Sequence, residues 1–254
     1  MDRFSNGVDK SSDAGGINKY MLTPRERIIR RLLHAAFGGI ILYYVMPTTI
    51  FSIPKWVLLI VLFSVPTIIM ESWRLTHKKA FFGMREHERY HVASYFWMIN
   101  GSVILLLIFP QFIAAPCILA AAIGDPVIGE TRWFRRRLSF SIGILTCVAI
   151  FVLFRYPLPI AILVGIITFL AESLNVEIIW EFREELFYSR SRRKVSRRKE
   201  LFDFIFKTDD DFMMQVVPAV VIYVMMLIFS ANGWTWLMPP DNLLNPLPDL
   251  MPFA

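Results

Sequence analysis

The sequence predicts an all-α fold: a polytopic integral membrane helical bundle of about seven transmembrane helices, with the N-terminus cytoplasmic and the C-terminus outside. Three observations predict it. Of the 254 residues, 56% are hydrophobic, more than one soluble core would hold. They fall in long uncharged blocks, several near the roughly 20 residues a helix needs to cross a bilayer. The charges lie between the blocks, and the basic ones gather on alternate connectors. The same composition excludes other classes. Cys117 and Cys147 both lie inside apolar blocks, so no disulfide framework is expected. The net charge of +6 sits at membrane flanks, so no nucleic-acid partner is expected.

Residues 1–23 form a polar tail without an apolar core or small-residue cleavage site, so no signal peptide is expected. Residues 24–231 make a single transmembrane domain. Pro24 suits the first turn of a helix that runs through Arg30 and Arg31 into the uncharged stretch Leu32 to Pro54, the first span. The second lies between Lys55 and Glu71, with Trp56 and Trp73 as interface anchors. A polar connector from Arg74 to Arg89 follows. No charge appears from Val92 to Gly124, too long for one helix, and Pro110-Gln111 divides it into spans three and four. Asp125 closes the fourth. Span five runs from Leu138 to Phe154, and Arg155 with Pro157 and Pro159 marks a turn into span six, which ends at Glu172. Span seven begins at Phe212 and fades near Ala231. Residues 232–254 form a Pro-rich tail with prolines too close together for a helix.

The basic residues orient this bundle. The N-terminal tail through Arg31, the connectors after spans two and four, and the long one after span six together hold 25 of the 27 Lys and Arg residues. Lys55 and Arg155 alone fall on the other side. The positive-inside rule therefore places the N-terminus in the cytoplasm. Residues 177–209 form a basic amphipathic insertion on that side, suited to anionic lipid headgroups.

That topology also gathers the unusual polar groups at one membrane edge. His34, Asp125 and Glu172 sit about a turn inside their spans, where an uncompensated charge is expensive and marks function. Asp209, Asp210 and Asp211 open span seven. Gly124 and Pro126 are expected to loosen the helix beside Asp125 and free backbone groups; the plainer reading is that Asp125 caps a turn. Carboxylates beside Arg, Lys and helix N-termini suit a divalent cation with phosphates.

Several of these stretches, taken in order, resemble one family. Arg30-Arg31-Leu32-Leu33-His34 with Gly38 is similar to the opening motif of the CTP-dependent lipid-alcohol kinases, the group of dolichol kinase, phytol kinase and CTP-dependent diacylglycerol kinase. Arg85-Glu86-His87-Glu88 with Ala93-Ser94-Tyr95-Phe96 resembles the family's Arg and Glu followed by a small residue and aromatics. Gly124-Asp125 with Gly129 resembles its Gly-Asp motif, Glu172 its intramembrane Glu, and Asp210-Asp211 with Pro218 its acidic opening of a later span. Arg135-Arg136-Arg137-Leu138-Ser139-Phe140-Ser141 stands where the family has Lys-Ser and Gly-Ser. Asp-Asp replaces Asp-Asn, beyond an insertion of some thirty residues.

The resemblance implies transfer of a phosphoryl group from a nucleoside triphosphate, CTP by family habit, to a polyprenol, dolichol, phytol or diacylglycerol. The setting would be a prokaryotic plasma membrane or the endoplasmic reticulum. It implies Mg²⁺ or another divalent cation at Asp125 with Asp210 or Asp211. Phosphate contacts would come from Arg30, Arg31, Lys78, Lys79, Gly124 and Gly129, and the lipid hydroxyl would be oriented or deprotonated by Glu172 or His34. Arg85, Glu86 and Glu88 belong to the shared motif.

Two other functions compete. His87-Glu88-Arg89-Tyr90-His91 spells H-E-x-x-H, the spacing by which two His residues on one helix face bind Zn²⁺ beside a general base, so a membrane zinc metalloprotease is one alternative. Arg89 puts a cation beside that metal. A transporter is the other, but it would place polar groups near the midplane and on both sides.

Overall fold

The computed structural model describes residues 24–79, 81, 92–134, 136–174 and 210–234. The insertion at 177–209 and both predicted tails, apart from 232–234, lie outside the described residues. What is described is mostly helical. Helix α1, Pro24–Phe37, starts at the expected proline and tightens into a 3-10 helix, Gly38–Val45. It is followed by α2 (Lys55–His77), α3 (Ser94–Ile108), α4 (Gln111–Phe134), α5 (Arg136–Leu153), α6 (Leu158–Leu174) and α7 (Asp210–Ala231). Every predicted apolar block thus contains a helix. Among the described residues, four segments are long and apolar enough to cross a membrane: Ile28–Val45, Lys55–His77, Gln111–Thr131 and Asp211–Ala231. Ser94–Ile108, Leu138–Leu153 and Leu158–Glu172 are apolar but shorter.

Several boundaries differ from the sequence reading. The first block does not remain helical to Pro54. Met46, held extended ahead of Pro47, ends the helix, and Thr49–Ile50 pairs antiparallel with Ile53–Pro54 in a two-stranded hairpin, β1 and β2. Its turn residues Phe51 and Ser52 both take positive φ, 51° and 64°, the backbone a tight two-residue hairpin turn demands. Lys55 then folds back. Its Nζ donates to the carbonyls of Tyr43 at 3.3 Å and Met46 at 3.5 Å, at the C-terminal end of the 3-10 helix, where a cation meets the carbonyl end of the helix favourably. The second helix runs on past Glu71 to His77, because Glu71 and Arg74 neutralise each other one turn apart.

The fourth helix likewise continues past Asp125 to Phe134. Gly124 and Pro126 do not break it. Proline in a helix interior removes one N–H, and at Pro116 the cost is met from outside. The carbonyl four residues back, on Phe112, accepts the Tyr156 hydroxyl at 2.7 Å.

Helix α4 is the axis of the bundle, packing against α1, α3, α5 and α7. Its small residues explain this. Ala114, Ala115, Cys117, Ala120, Ala121 and Ala122 are all wholly buried, and small side chains let neighbouring backbones approach where no hydrophobic effect drives association. Helices α5 and α6 are closer still at Gly165, where an added Cβ would lie 2.6 Å from Val148 Cγ2 and 2.9 Å from the Val148 backbone nitrogen. Gly165→Ala is expected to destabilise the protein by about 1–3 kcal/mol, since backbone cannot yield as a side-chain tip can. Thermal unfolding in detergent checks it. Helix α7 closes the bundle against α3, α4 and α6. Two turns into α3, Ser102 donates to Gln215 Oε1 at 3.0 Å, and Gln215 donates to the Met98 carbonyl at 3.3 Å.

Candidate functional site: an acidic cluster with His34

The starts of α3 and α7 meet the C-terminal part of α4 and the last turn of α1 at one end of the bundle. His34 reaches the site from α1, with its Nε2 3.2 Å from Asp211 Oδ1 and 3.9 Å from Asp125 Oδ2. Asp211 is 2% exposed, deep for a carboxylate in the first turn of a helix. Its Oδ2 accepts the Ser94 hydroxyl at 2.5 Å, so one oxygen faces α3 and the other faces His34. Asp125 is the more open member, with a side chain 33% exposed. One ligand atom from each of the three lies within 4.8 Å of the others.

These three groups could hold a divalent cation if they drew slightly together: ligands on opposite sides of a Mg²⁺ stand about 4.2 Å apart at bond lengths near 2.1 Å, against separations of up to 4.8 Å here, and two of the three are the hard carboxylates that Mg²⁺ prefers. The imidazole widens the choice toward Mn²⁺ or Zn²⁺.

Arginine frames the cluster. Arg30 is close enough to interact electrostatically with both His34 and Asp211. Arg31 spans to α4, where its Nε is 2.8 Å from Glu130 Oε1 and its Nη1 donates to the Pro126 carbonyl at 2.5 Å. Gly129 has an unexpected part in this. A Cβ there would stand 2.9 Å from Arg31 Nη2, so the glycine clears the space the guanidinium lies in. Gly124 sits against α5 and α7, where a Cβ would meet Met214 Cε at 3.3 Å and Cys147 Sγ at 3.5 Å.

The other predicted site residues are distributed differently. Glu172 is buried on α6, within electrostatic range of the Cys147 thiol, and is not among the three residues whose ligand atoms converge. Lys78 is exposed, with left-handed backbone (φ 50°) at the C-cap of α2. Lys79 lies with its Nζ 5.2 Å over the Trp73 ring, a cation–π contact at the end of α2. Asp210 opens α7, but its side chain lies outside the described residues. So do Arg85, Glu86 and Glu88, and His87 and His91 of the zinc-type motif.

A second polar knot was not foreseen. Glu71 and Arg74 on α2 are 3% and 0% exposed and share two contacts, Arg74 Nη2 to Glu71 Oε1 at 2.6 Å and Nε to Oε2 at 2.8 Å. The same carboxylate accepts the Ala93 N–H at 2.8 Å and the Tyr95 hydroxyl at 2.6 Å. The available signal was an acid and a base three residues apart, directly after an apolar run. A flanking reading of those charges hides it.

No known protein family, curated protein or solved structure matches this chain.

Proposed function

We propose that the chain is a multi-pass membrane lipid kinase, with seven spans, a cytoplasmic N-terminus and an outer C-terminus, transferring a phosphoryl group from a nucleoside triphosphate to a lipid alcohol. CTP is the donor by resemblance. The observation that carries the reading is the meeting of His34, Asp125 and Asp211, three residues drawn from three of the family-like stretches and separated by about ninety positions at each step. Arg30 and Arg31 beside them support a phosphate-binding role, since guanidinium matches phosphate oxygens bidentately. In the seven-span topology the cluster lies at the cytoplasmic edge, where a soluble nucleotide and a lipid headgroup can both reach it.

Phosphoryl transfer asks a protein for positioning and charge neutralisation more than for covalent chemistry. Asp125 and Asp211 would hold a divalent cation, which when bound spreads the charge of the phosphate oxygens. Arg31, whose Nε is 2.8 Å from Glu130 Oε1, would exchange that carboxylate for phosphate. The lipid oxygen forms its bond to the terminal phosphorus as the bond to the bridging oxygen breaks, and the nucleoside diphosphate leaves. His34 in its neutral form would accept the hydroxyl proton at Nε2, so in this step the cation would be held by Asp125 and Asp211 and not by the imidazole.

The test is to incubate the purified full chain with Mg²⁺, labelled CTP or ATP, and a panel of polyprenols, phytol, undecaprenol and diacylglycerol. A labelled lipid is expected, made from CTP in preference to ATP. If no lipid is labelled with either nucleotide, the kinase reading fails.

A further inference from the structure

We infer that Glu71, with Arg74 and Tyr95, is a positioning device for the acidic cluster: it holds the first turn of α3 so that Ser94 fixes which oxygen of Asp211 faces His34. The inference rests on the cation-site reading above. It starts from a gap in the helix itself. Ala93 stands at the N-cap of α3 with no side-chain oxygen to offer, and no side-chain cap bond is made there, although a helix start without one leaves backbone donors exposed. The Glu71 carboxylate from α2 takes over part of that task. It accepts the Ala93 N–H at 2.8 Å and the Tyr95 hydroxyl at 2.6 Å, so it grips the residues on both sides of Ser94.

Arg74 fixes the gripping group in turn. Its two contacts to Glu71, at 2.6 and 2.8 Å, fill the remaining acceptor sites on the two carboxylate oxygens. Arg74 Nη1 also reaches the Lys79 carbonyl at 3.4 Å, so the end of α2 is tied to the same knot. Held this way, the first turn of α3 cannot rotate or slide without breaking charge-assisted bonds in a buried setting.

Ser94 carries the consequence to the cluster. Its hydroxyl donates to Asp211 Oδ2 at 2.5 Å, leaving Oδ1 toward His34 Nε2 at 3.2 Å. A carboxylate freed from that bond would be able to swing, and a cation site with one swinging ligand binds more weakly. Residues that orient ligands without touching the metal matter for this reason. A helix fastener with no link to the cluster is the competing role, and the Ser102–Gln215 bond between α3 and α7 supplies its control.

Mn²⁺ is the probe, titrated against the full chain in lipid nanodiscs and followed by electron paramagnetic resonance, with amide hydrogen exchange at residues 93–95 as a second readout. Wild type is expected to bind Mn²⁺ at a site lost with Asp125→Asn. Ser94→Ala and the double variant Glu71→Gln/Arg74→Met are each expected to weaken Mn²⁺ binding about tenfold or more, the range for residues that orient metal ligands. The double variant removes both charges, so neither is left buried alone. Tyr95→Phe, which keeps the ion pair, should weaken binding less. Exchange at 93–95 should rise in the double variant and stay unchanged in Ser94→Ala, and Ser102→Ala should bind Mn²⁺ as wild type does. A wild type that binds no Mn²⁺, or an Asp125→Asn variant that binds it equally well, removes the cation site and this inference with it. Mn²⁺ binding that depends on Asp125 but is unchanged in Tyr95→Phe and the double variant overturns the positioning role alone, as does equal weakening by Ser102→Ala or unchanged exchange in the double variant.

Discussion

Asp211→Asn is expected to lower lipid phosphorylation by at least about a hundredfold, the scale seen when one preorganised charge-stabilising group is removed from an active site. The substitution keeps the shape of the side chain and the Ser94 contact, but it deletes the charge that faces His34. Stability is expected to change little: a carboxylate 2% exposed costs free energy to bury, but it is also the partner of His34 3.2 Å away, and a neutral amide gives up both the cost and the attraction. The informative result is the pair of measurements together: turnover with labelled nucleotide and the thermal midpoint in detergent. A variant that melts as wild type does yet fails to turn over assigns Asp211 to chemistry. One that turns over at the wild-type rate removes it from the proposed site.

Glu71→Gln alone should have the largest effect on stability, about 3–5 kcal/mol of destabilisation, because it leaves Arg74 as an uncompensated charge in a wholly buried position. Two hydrogen bonds from Arg74 and two from the start of α3 weaken at the same time. Adding Arg74→Met is expected to recover most of the loss, since removing both partners of a buried pair is often close to neutral. Thermal unfolding of wild type, the single variant and the double variant in one detergent checks this. Equal destabilisation by the single and double variants would show that the ion pair is not what the helix depends on. The same comparison separates folding from function, because the double variant is folded material in which Ser94 has lost its support.

Much of the helical content was readable from the chain. Uncharged blocks bounded by charges correspond to α1 through α7, and Pro110 and the Arg155 turn separate helices as expected. The misreadings share a cause. In the sequence a charge at the end of an apolar block looks like the end of a helix, which puts the end of α2 at Glu71 and that of α4 at Asp125. Both run on, because a helix continues through a charge that finds a partner, Arg74 in one case and His34 in the other. The opposite error was made before Pro54, where an apolar block was carried through a hairpin. Hydropathy does not distinguish β-branched residues beside prolines from a helix end.

Composition and charge placement were enough to predict a mostly helical protein with several helices long and apolar enough to cross a membrane, because lipid demands that each crossing segment satisfy its own backbone hydrogen bonds and expose apolar side chains. They also singled out His34, Asp125 and Glu172 as polar groups too costly to be incidental, with Asp211 among the acids that open span seven. Tertiary structure alone decided which of these meet. Glu172, an equally expensive residue in the sequence, lies apart from the cluster, while Ser94 and the Glu71–Arg74 knot join or brace it. The physical reason is that burial cost is a property of one residue and its neighbours in the chain, whereas hydrogen-bond partnership depends on how α1, α2, α3, α4 and α7 pack. Gly129 shows the difference in one position: its meaning is the space occupied by an arginine 98 residues earlier in the chain.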